Sequence, residues 1–218
     1  MCLALYCAIL VKIVRGFEGV SIGRPRPRLY SGDNEVIEIY KLAPNVILPT
    51  YQTKNSACFD IHAYLRGPNL TEDKYPIARS VKIFNSKNEE VETQVRFTFD
   101  SDDCKADIEI PPHGRALIPT GFILEIEPGF SVRLHARSGL AVKNGVSLAN
   151  SEGVIDSDYK QEVFVPLINN SDEPYLVKHG DRVAQGELVE CFTSPIIITE
   201  EKPQKVTERV GGFGSTGV

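Results

Sequence analysis

The chain has no surplus of positive charge: 24 Lys and Arg stand against 29 Asp and Glu, a formal charge of -5. It therefore lacks a cationic field able to hold a phosphate backbone non-specifically. Nucleic acid is not the expected partner, and an anionic ligand must be held by a few local donors, as a nucleotide or metabolite would be. CxxC pairs are missing too. The five cysteines, Cys2, Cys7, Cys58, Cys104 and Cys191, are odd in number and fit reduced, intracellular thiols better than a disulfide framework. His62, His113, His135 and His179 show no metal-ligand spacing such as HExxH, so they read as ordinary core or surface histidines rather than a zinc site. Long apolar runs are also lacking. The apolar opening Cys2 to Leu10, continued by Val11-Lys12-Ile13-Val14, is too short and interrupted to span a membrane. It has neither a basic region before it nor a small-residue cleavage site, so the expectation is a soluble cytoplasmic protein with no membrane partner.

Helical periodicity is scarce. What the chain does have is a succession of short β-branched and aromatic runs bounded by Gly, Pro, Asn and Asp. Examples are Val36 to Tyr40, Leu117-Ile118, Gly121 to Leu124, Val163 to Ile168 and Ile196 to Ile198. Many short strands at turn-spaced intervals imply an all-β barrel or jelly roll, and Leu140 to Val146 is the one stretch that reads as a short helix. At 218 residues the chain suits one sizeable core. Two segments look added to a domain over 35–208. Residues 1–34 contain the Pro/Arg stretch Gly23 to Arg28 and read as a linker or loosely packed arm. Residues 66–107 form a polar excursion in which Val91, Val95, Phe97 and Phe99 share one face of an alternating strand. That strand lies opposite Val81 and Ile83 across Asn85 to Glu90, as in a β-hairpin lobe on the barrel rim.

The densest constellation runs from Phe130 to Phe164. In Asn150-Ser151-Glu152-Gly153-Val154-Ile155-Asp156-Ser157-Asp158-Tyr159, the carboxylates Asp156 and Asp158 stand at i and i+2, which project to one face of a strand. A carboxylate fixed near a metal-bound polyphosphate can orient and deprotonate water, although Ser-Asp pairs are also common in plain polar turns. Ala136-Arg137-Ser138-Gly139-Leu140-Ala141 offers a guanidinium, a hydroxyl and glycine-exposed backbone at a helix start, suited to an oxyanion or simply a capped turn. Gly180 to Gln185 reads as a tight turn entering a strand, with Gln185 able to aim an amide at a ligand. The chain ends in Arg209-Val210-Gly211-Gly212-Phe213-Gly214-Ser215-Thr216-Gly217-Val218. Its glycines expose backbone N–H donors and its one aromatic could stack on a base, but the spacing is not that of a Walker loop.

In this order the pieces resemble the five motifs of the trimeric dUTPase family, over about Val36 to Val218. Ser56 to Ile61 looks like the first, Arg137 to Ala141 the second, Gly153 to Tyr159 the third, Gly180 to Gln185 the fourth and Gly211 to Gly217 the fifth. The resemblance implies a jelly-roll homotrimer with three sites shared between subunits. It implies splitting of dUTP to dUMP and pyrophosphate, which limits uracil in DNA and supplies dUMP for dTMP synthesis. Asp156 would be the general base for water attacking the α-phosphorus, and Asp60 would help hold hydrated Mg²⁺. Arg137, Ser138, Gly139 and Gln185 would grip the phosphates. Asn150, the backbone of Gly153, Val154 and Ile155, and Phe164 would read uracil, with Tyr159 under the deoxyribose. The segment 209–218 would close over the nucleotide, Phe213 on the base and Arg209, Gly214, Ser215 and Thr216 near it.

Some positions depart from the family pattern. Cys58 stands where Gly is usual, Ala136 where Pro is usual and Gln161 where Gly is common, and Arg209 lies one residue nearer its Gly-Gly-Phe than is usual. The interval from Asp60 to Pro111 is long, as in bacteriophage members with inserted lobes, and such a lobe could bind a protein partner. The rival enzyme of similar fold is the dCTP deaminase. It needs a catalytic Glu on the strand after the third motif, where this chain has Pro166. A rival of another class is a nucleotide-sensing module without turnover, whose mark would be loss of the base or of the closing arm.

Overall fold

The computed structural model describes residues 37–70, 76–91, 95–100, 103–204 and 206–207. The expectations for residues 1–34 and for the arm 209–218 lie outside these. The described residues belong to one unit, Ile37–Val218. In chain order they form β1 (Glu38–Lys41), β2 (Thr50–Tyr51), β3 (Phe59–His62), β4 (Arg66–Leu70), β5 (Pro76–Ala78), β6 (Lys82–Phe84), β7 (Glu90–Val91), β8 (Arg96–Asp100) and β9 (Asp103–Ile110). They continue with β10 (Arg115–Pro119), β11 (Phe122–Glu125), β12 (Phe130–His135), helix α1 (Ser138–Asn144), β13 (Val146–Leu148), β14 (Gly153–Asp156), β15 (Phe164–Asn169), β16 (Tyr175–Lys178) and β17 (Arg182–Glu190). The all-β expectation holds.

Two five-stranded antiparallel sheets carry most of the core, in the orders β13-β15-β10-β6-β7 and β14-β12-β17-β3-β2. Period-2 alternation makes this possible. On β15, Val165 and Leu167 point inward, and on β12 Val132 and Leu134 do, each at most 1% exposed. Asn169, also at 0% exposure, is the polar exception. Its amide donates to the carbonyls of Ile110, Pro111 and Glu173, and its Oδ1 accepts from Ser171 N–H and Oγ–H. A buried amide satisfied this fully ties β15 to β9 and the turn beyond.

The short helix starts two residues before the expected Leu140 and ends at Asn144. Gly145 adopts φ 67° and accepts no further turn, so Val146 enters β13 instead. The expected hairpin across Asn85 to Glu90 is present as β6 and β7, with Ile83 opposite Val91. Of the residues expected on one strand, Val91 ends β7 whereas Phe97 and Phe99 lie on β8. β8 pairs with β9 in another sheet, and β6 pairs with β10, so Val81, Ile83 and Val95 lie in the main core rather than on a rim. Alternation identified the facing residues but could not name the strand each one faces. The run Ile196 to Ile198 is also no strand. It finds no pairing partner among the described residues, and its side chains are 81–97% exposed. No helix among the described residues is long and apolar enough to cross a membrane.

Candidate active site

Asp60 sits on β3 with only 7% exposure, and both its oxygens are engaged. Arg137 Nε donates to Oδ1 at 3.2 Å and Arg182 Nη1 to Oδ2 at 3.0 Å. Arg137 also donates from Nη1 to the Arg182 carbonyl at 3.1 Å. Two guanidinium groups on one buried carboxylate leave a net positive charge at the rim of a cavity of about 420 Å³. Gln52, Ser56, Ala57, Cys58, Asp60, Arg137, Ser138, Gly139, Arg182 and Gln185 line it. Three of the expected pieces therefore converge, from β3, the start of α1 and the start of β17.

Local structure explains the convergence. Arg137 is the N-cap residue, extended at φ -87° and ψ 124°, and no side chain caps the helix start. Backbone N–H groups of the first turn are thus left for an external acceptor. Ser138 and Gly139 are exposed there, and a Cβ added to Gly139 would meet nothing within 4 Å, so packing within the chain does not demand a glycine. Gln185 faces Asp60 across the β17–β3 ladder, and its amide donates to the Ala136 carbonyl at 3.1 Å, which ties the strand to the helix start. His62, beyond Asp60 on β3, has its pKa held below the usual histidine value chiefly by burial, against the pull of the Asp60 charge.

A second group lies elsewhere. Asn150, Gly153, Val154, Ile155, Asp156, Tyr159 and Phe164 belong to β14, the turns flanking it and the start of β15, and none of them lines the cavity. Asp156 faces Ser131, which faces Val189, whereas Asp60 faces Gln185 on the same strand. Asp156 is therefore three strands across and four residues along from Asp60. At about 4.8 Å per strand and 3.4 Å per residue, the two carboxylates are on the order of 20 Å apart. Asp158 does not share a face with Asp156 as expected. β14 ends at Asp156, and a turn closed by Tyr159 N–H to the Asp156 carbonyl at 3.1 Å carries Asp158 away. Asp156 is exposed, Val154 and Tyr159 are 46% and 38% exposed, and the Tyr159 hydroxyl donates to the Glu162 carbonyl. β14 is the edge strand of its sheet, so its outer backbone groups have no strand partner among the described residues.

Sequence reasoning gave no role to Arg182 and did not bring Cys58 together with His135 and Glu187. Arg182 stood inside a recognised motif but read only as part of a turn. Cys58, His135 and Glu187 place ligand-capable atoms within 4.8 Å of one another, and His135 Nε2 lies 3.1 Å from Glu187 Oε2. These residues come from three elements, so no spacing in the chain announces them. Desolvation, then the Glu187 carboxylate, raises the Cys58 thiol pKa above its ordinary value. Arg209, Phe213, Gly214, Ser215 and Thr216 lie outside the described residues.

Comparison with known proteins gives a consistent result. A model of the dUTPase family matches residues 103–217. The deoxyuridine 5'-triphosphate nucleotidohydrolase of Wolinella succinogenes is 33% identical over 181 residues, covering 83% of this chain and 93% of that protein. Its counterpart in Nautilia profundicola is 35% identical over 182 residues, covering 83% and 98%. Among solved structures, the Staphylococcus bacteriophage 80alpha dUTPase with dUPNHPP aligns with TM-score 0.55 and 21% identity, covering 84% of this chain and 99% of that one. That likeness concerns the fold.

Proposed function

Because the chain belongs to the dUTPase family, we propose that it hydrolyses dUTP to dUMP and pyrophosphate at sites assembled between subunits of a homotrimer. The separation of Asp156 from the Asp60–Arg137 cavity carries this reading. A base on the order of 20 Å from the phosphate grip of its own chain can serve only a nucleotide held by another chain. Exposed Val154 and Tyr159 beside Asp156 are suited to cover by a second copy.

In this reading the triphosphate enters the cavity, where Arg137, the first-turn N–H groups at Ser138 and Gly139, and the Gln185 amide donate to its oxygens. Water approaches the α-phosphorus, and Asp156 of the neighbouring chain takes its proton as the new P–O bond forms and the bond to the pyrophosphate oxygen breaks. Arg137 and Arg182 offset charge that builds on the departing pyrophosphate. The unpaired outer edge of β14 offers N–H and C=O groups to uracil, and Asn150 and Phe164 complete the base pocket. A cytosine in the same place leaves those groups unpaired, at about 1 to 3 kcal/mol each. Tyr159 underlies the sugar and leaves no room for a 2′-hydroxyl.

Magnesium fits the donor set. Among the described residues Asp60 is the one carboxylate lining the cavity, and Mg²⁺ favours one or two carboxylates with phosphate oxygens and retained waters over an all-protein cage. Asp60 would hold it through water, since both carboxylate oxygens already accept guanidinium hydrogen bonds. When bound, the ion supplies charge compensation along the triphosphate. Phe213 would stack on the base while Arg209, Gly214, Ser215 and Thr216 close over the phosphates.

The test is pyrophosphate release from dUTP by Asp156→Asn, which keeps the shape of the side chain but removes its basicity. We expect a fall of about 10² to 10⁴ with nucleotide binding retained. Turnover near wild type refutes the assignment.

A further inference from the structure

We propose that Cys58, His135 and Glu187 form a binding site for a thiophilic divalent cation of the zinc class, separate from the oxygen-lined position of Asp60. Cys58 immediately precedes β3, His135 ends β12 and Glu187 lies in the middle of β17. Their proximity follows from strand register. On the β17–β3 ladder Gln185 faces Asp60 and Gly186 faces Phe59, so one further step brings Glu187 opposite Cys58. On the β12–β17 ladder His135 faces Gln185, two residues from Glu187 on the same face. Thiol, imidazole and carboxylate atoms thus meet above one surface of the sheet, all within 4.8 Å of one another.

The chemistry selects the ion. Tetrahedral zinc, with bonds of about 2.0 to 2.3 Å, sets its ligand atoms about 3.3 to 3.6 Å apart. The 3.1 Å between His135 Nε2 and Glu187 Oε2 is already close to that edge length. From the present separations, all within 4.8 Å, to that spacing is a change of about an ångström. Thiolate and imidazole favour zinc over magnesium, whose preference is for hard oxygen donors. On coordination the Cys58 thiol releases its proton to solvent, and water fills the fourth position.

A separate observation concerns the other face of the imidazole. His135 Nδ1 lies 3.9 Å from Glu152 Oε1, and Arg133 holds the same carboxyl group through Oε2 at 3.5 Å. A carboxylate on this side of the ring favours the Nδ1–H tautomer that a zinc ligand needs, so on coordination the imidazole proton now shared between Nε2 and Glu187 moves to Nδ1 and frees Nε2 for the ion. Three ligands and a positioning carboxylate are therefore present. An ion held here sits two residues along the strand from Asp60, about 7 Å away.

The test uses the full-length protein, stripped with a chelator and then titrated with Co²⁺ and Zn²⁺. Expected are one Co²⁺ per chain with a thiolate-to-cobalt absorption band in the near ultraviolet, displacement by Zn²⁺, and no displacement by excess Mg²⁺. The near-isosteric C58S should abolish the band, and E187Q should weaken binding about tenfold or more. Glu152→Gln keeps all three ligands and should weaken binding by about tenfold. A band that persists in C58S, the absence of any stoichiometric band, or displacement by Mg²⁺ overturns the proposal. Zn²⁺ should also raise the melting temperature of the wild type and not that of C58S, and equal shifts count against it.

Discussion

The distance between the two halves of the site permits a test by mixing. Take Arg137→Ala, which damages the phosphate grip, and Asp156→Asn, which removes the base. Arg137→Ala leaves Asp60 compensated by Arg182 at 3.0 Å, so the fold has no unpaired buried charge to bear. Loss of a charge-assisted hydrogen bond to phosphate costs about 1.5 to 3 kcal/mol, roughly a tenfold to hundredfold fall in activity. Loss of the base costs about 10² to 10⁴. Each parent trimer is therefore nearly silent, with a mean of a few per cent of wild type at most. If the base serves a cavity on another chain, random assembly of equal amounts repairs some sites. The cavity must come from an Asp156→Asn chain and the base from an Arg137→Ala chain, a chance of one half each, so about one quarter of sites are intact. Differently tagged chains, unfolded together, refolded and assayed for pyrophosphate, should recover roughly a quarter of wild-type activity. Recovery no greater than the mean of the parents would refute the shared site, because a site within one chain is never repaired by mixing.

Three further outcomes are expected. Asn169→Ala removes an amide that satisfies three carbonyls and two Ser171 donors, and should destabilise by about 3 kcal/mol, seen as a melting temperature lower by roughly 6 to 12 °C. A Cβ at Gly186 collides with the Phe59 ring, so Gly186→Ala should cost about 1 to 3 kcal/mol, measured by denaturant midpoint, and an unchanged midpoint would show that the ring yields freely. Deleting residues 209–218 should reduce dUTP hydrolysis about tenfold or more while leaving the melting temperature unchanged, the outcome expected if the segment, as proposed, closes over the nucleotide and supplies about 1.4 kcal/mol or more to the transition state.

How far the sequence could be read depended on the range of each interaction. Alternation along Val163 to Ile168 and Gly121 to Leu124 marked real strands, because burial on one face acts residue by residue. Ile196 to Ile198 has the same composition and forms no strand, since a strand also needs a partner that composition does not reveal. Asp60, Arg137, Ser138, Gly139 and Gln185 could be named because their motifs are contiguous, and the structure gathers them around one cavity. The Asp156–Asp158 pairing failed because a turn begins one residue after the strand, a boundary that periodicity does not resolve. Arg182 and the Cys58–His135–Glu187 group went unnoticed for a related reason. Their partners lie 45 or more positions away along the chain and meet only through the order of β12, β17 and β3.

The irregularity in β17 makes the site depend on whether residue counts are odd or even. Arg182 and Gln185 are three positions apart, and in an unbroken strand such residues look in opposite directions. The pairing with β3 slips between Arg182 and Ala184, leaving Val183 as the extra residue, and consecutive Val183 and Ala184 are both buried. That one added residue lets a guanidinium and an amide, which would otherwise alternate, share one side of the sheet, Arg182 on the Asp60 carboxylate and Gln185 opposite Asp60 in the ladder. Substituting Val183 with another small apolar side chain leaves the parity untouched, whereas deleting it swaps inside for outside for everything before Ala184. Heritable variation at this point is thus open to changes of residue and closed to changes of length.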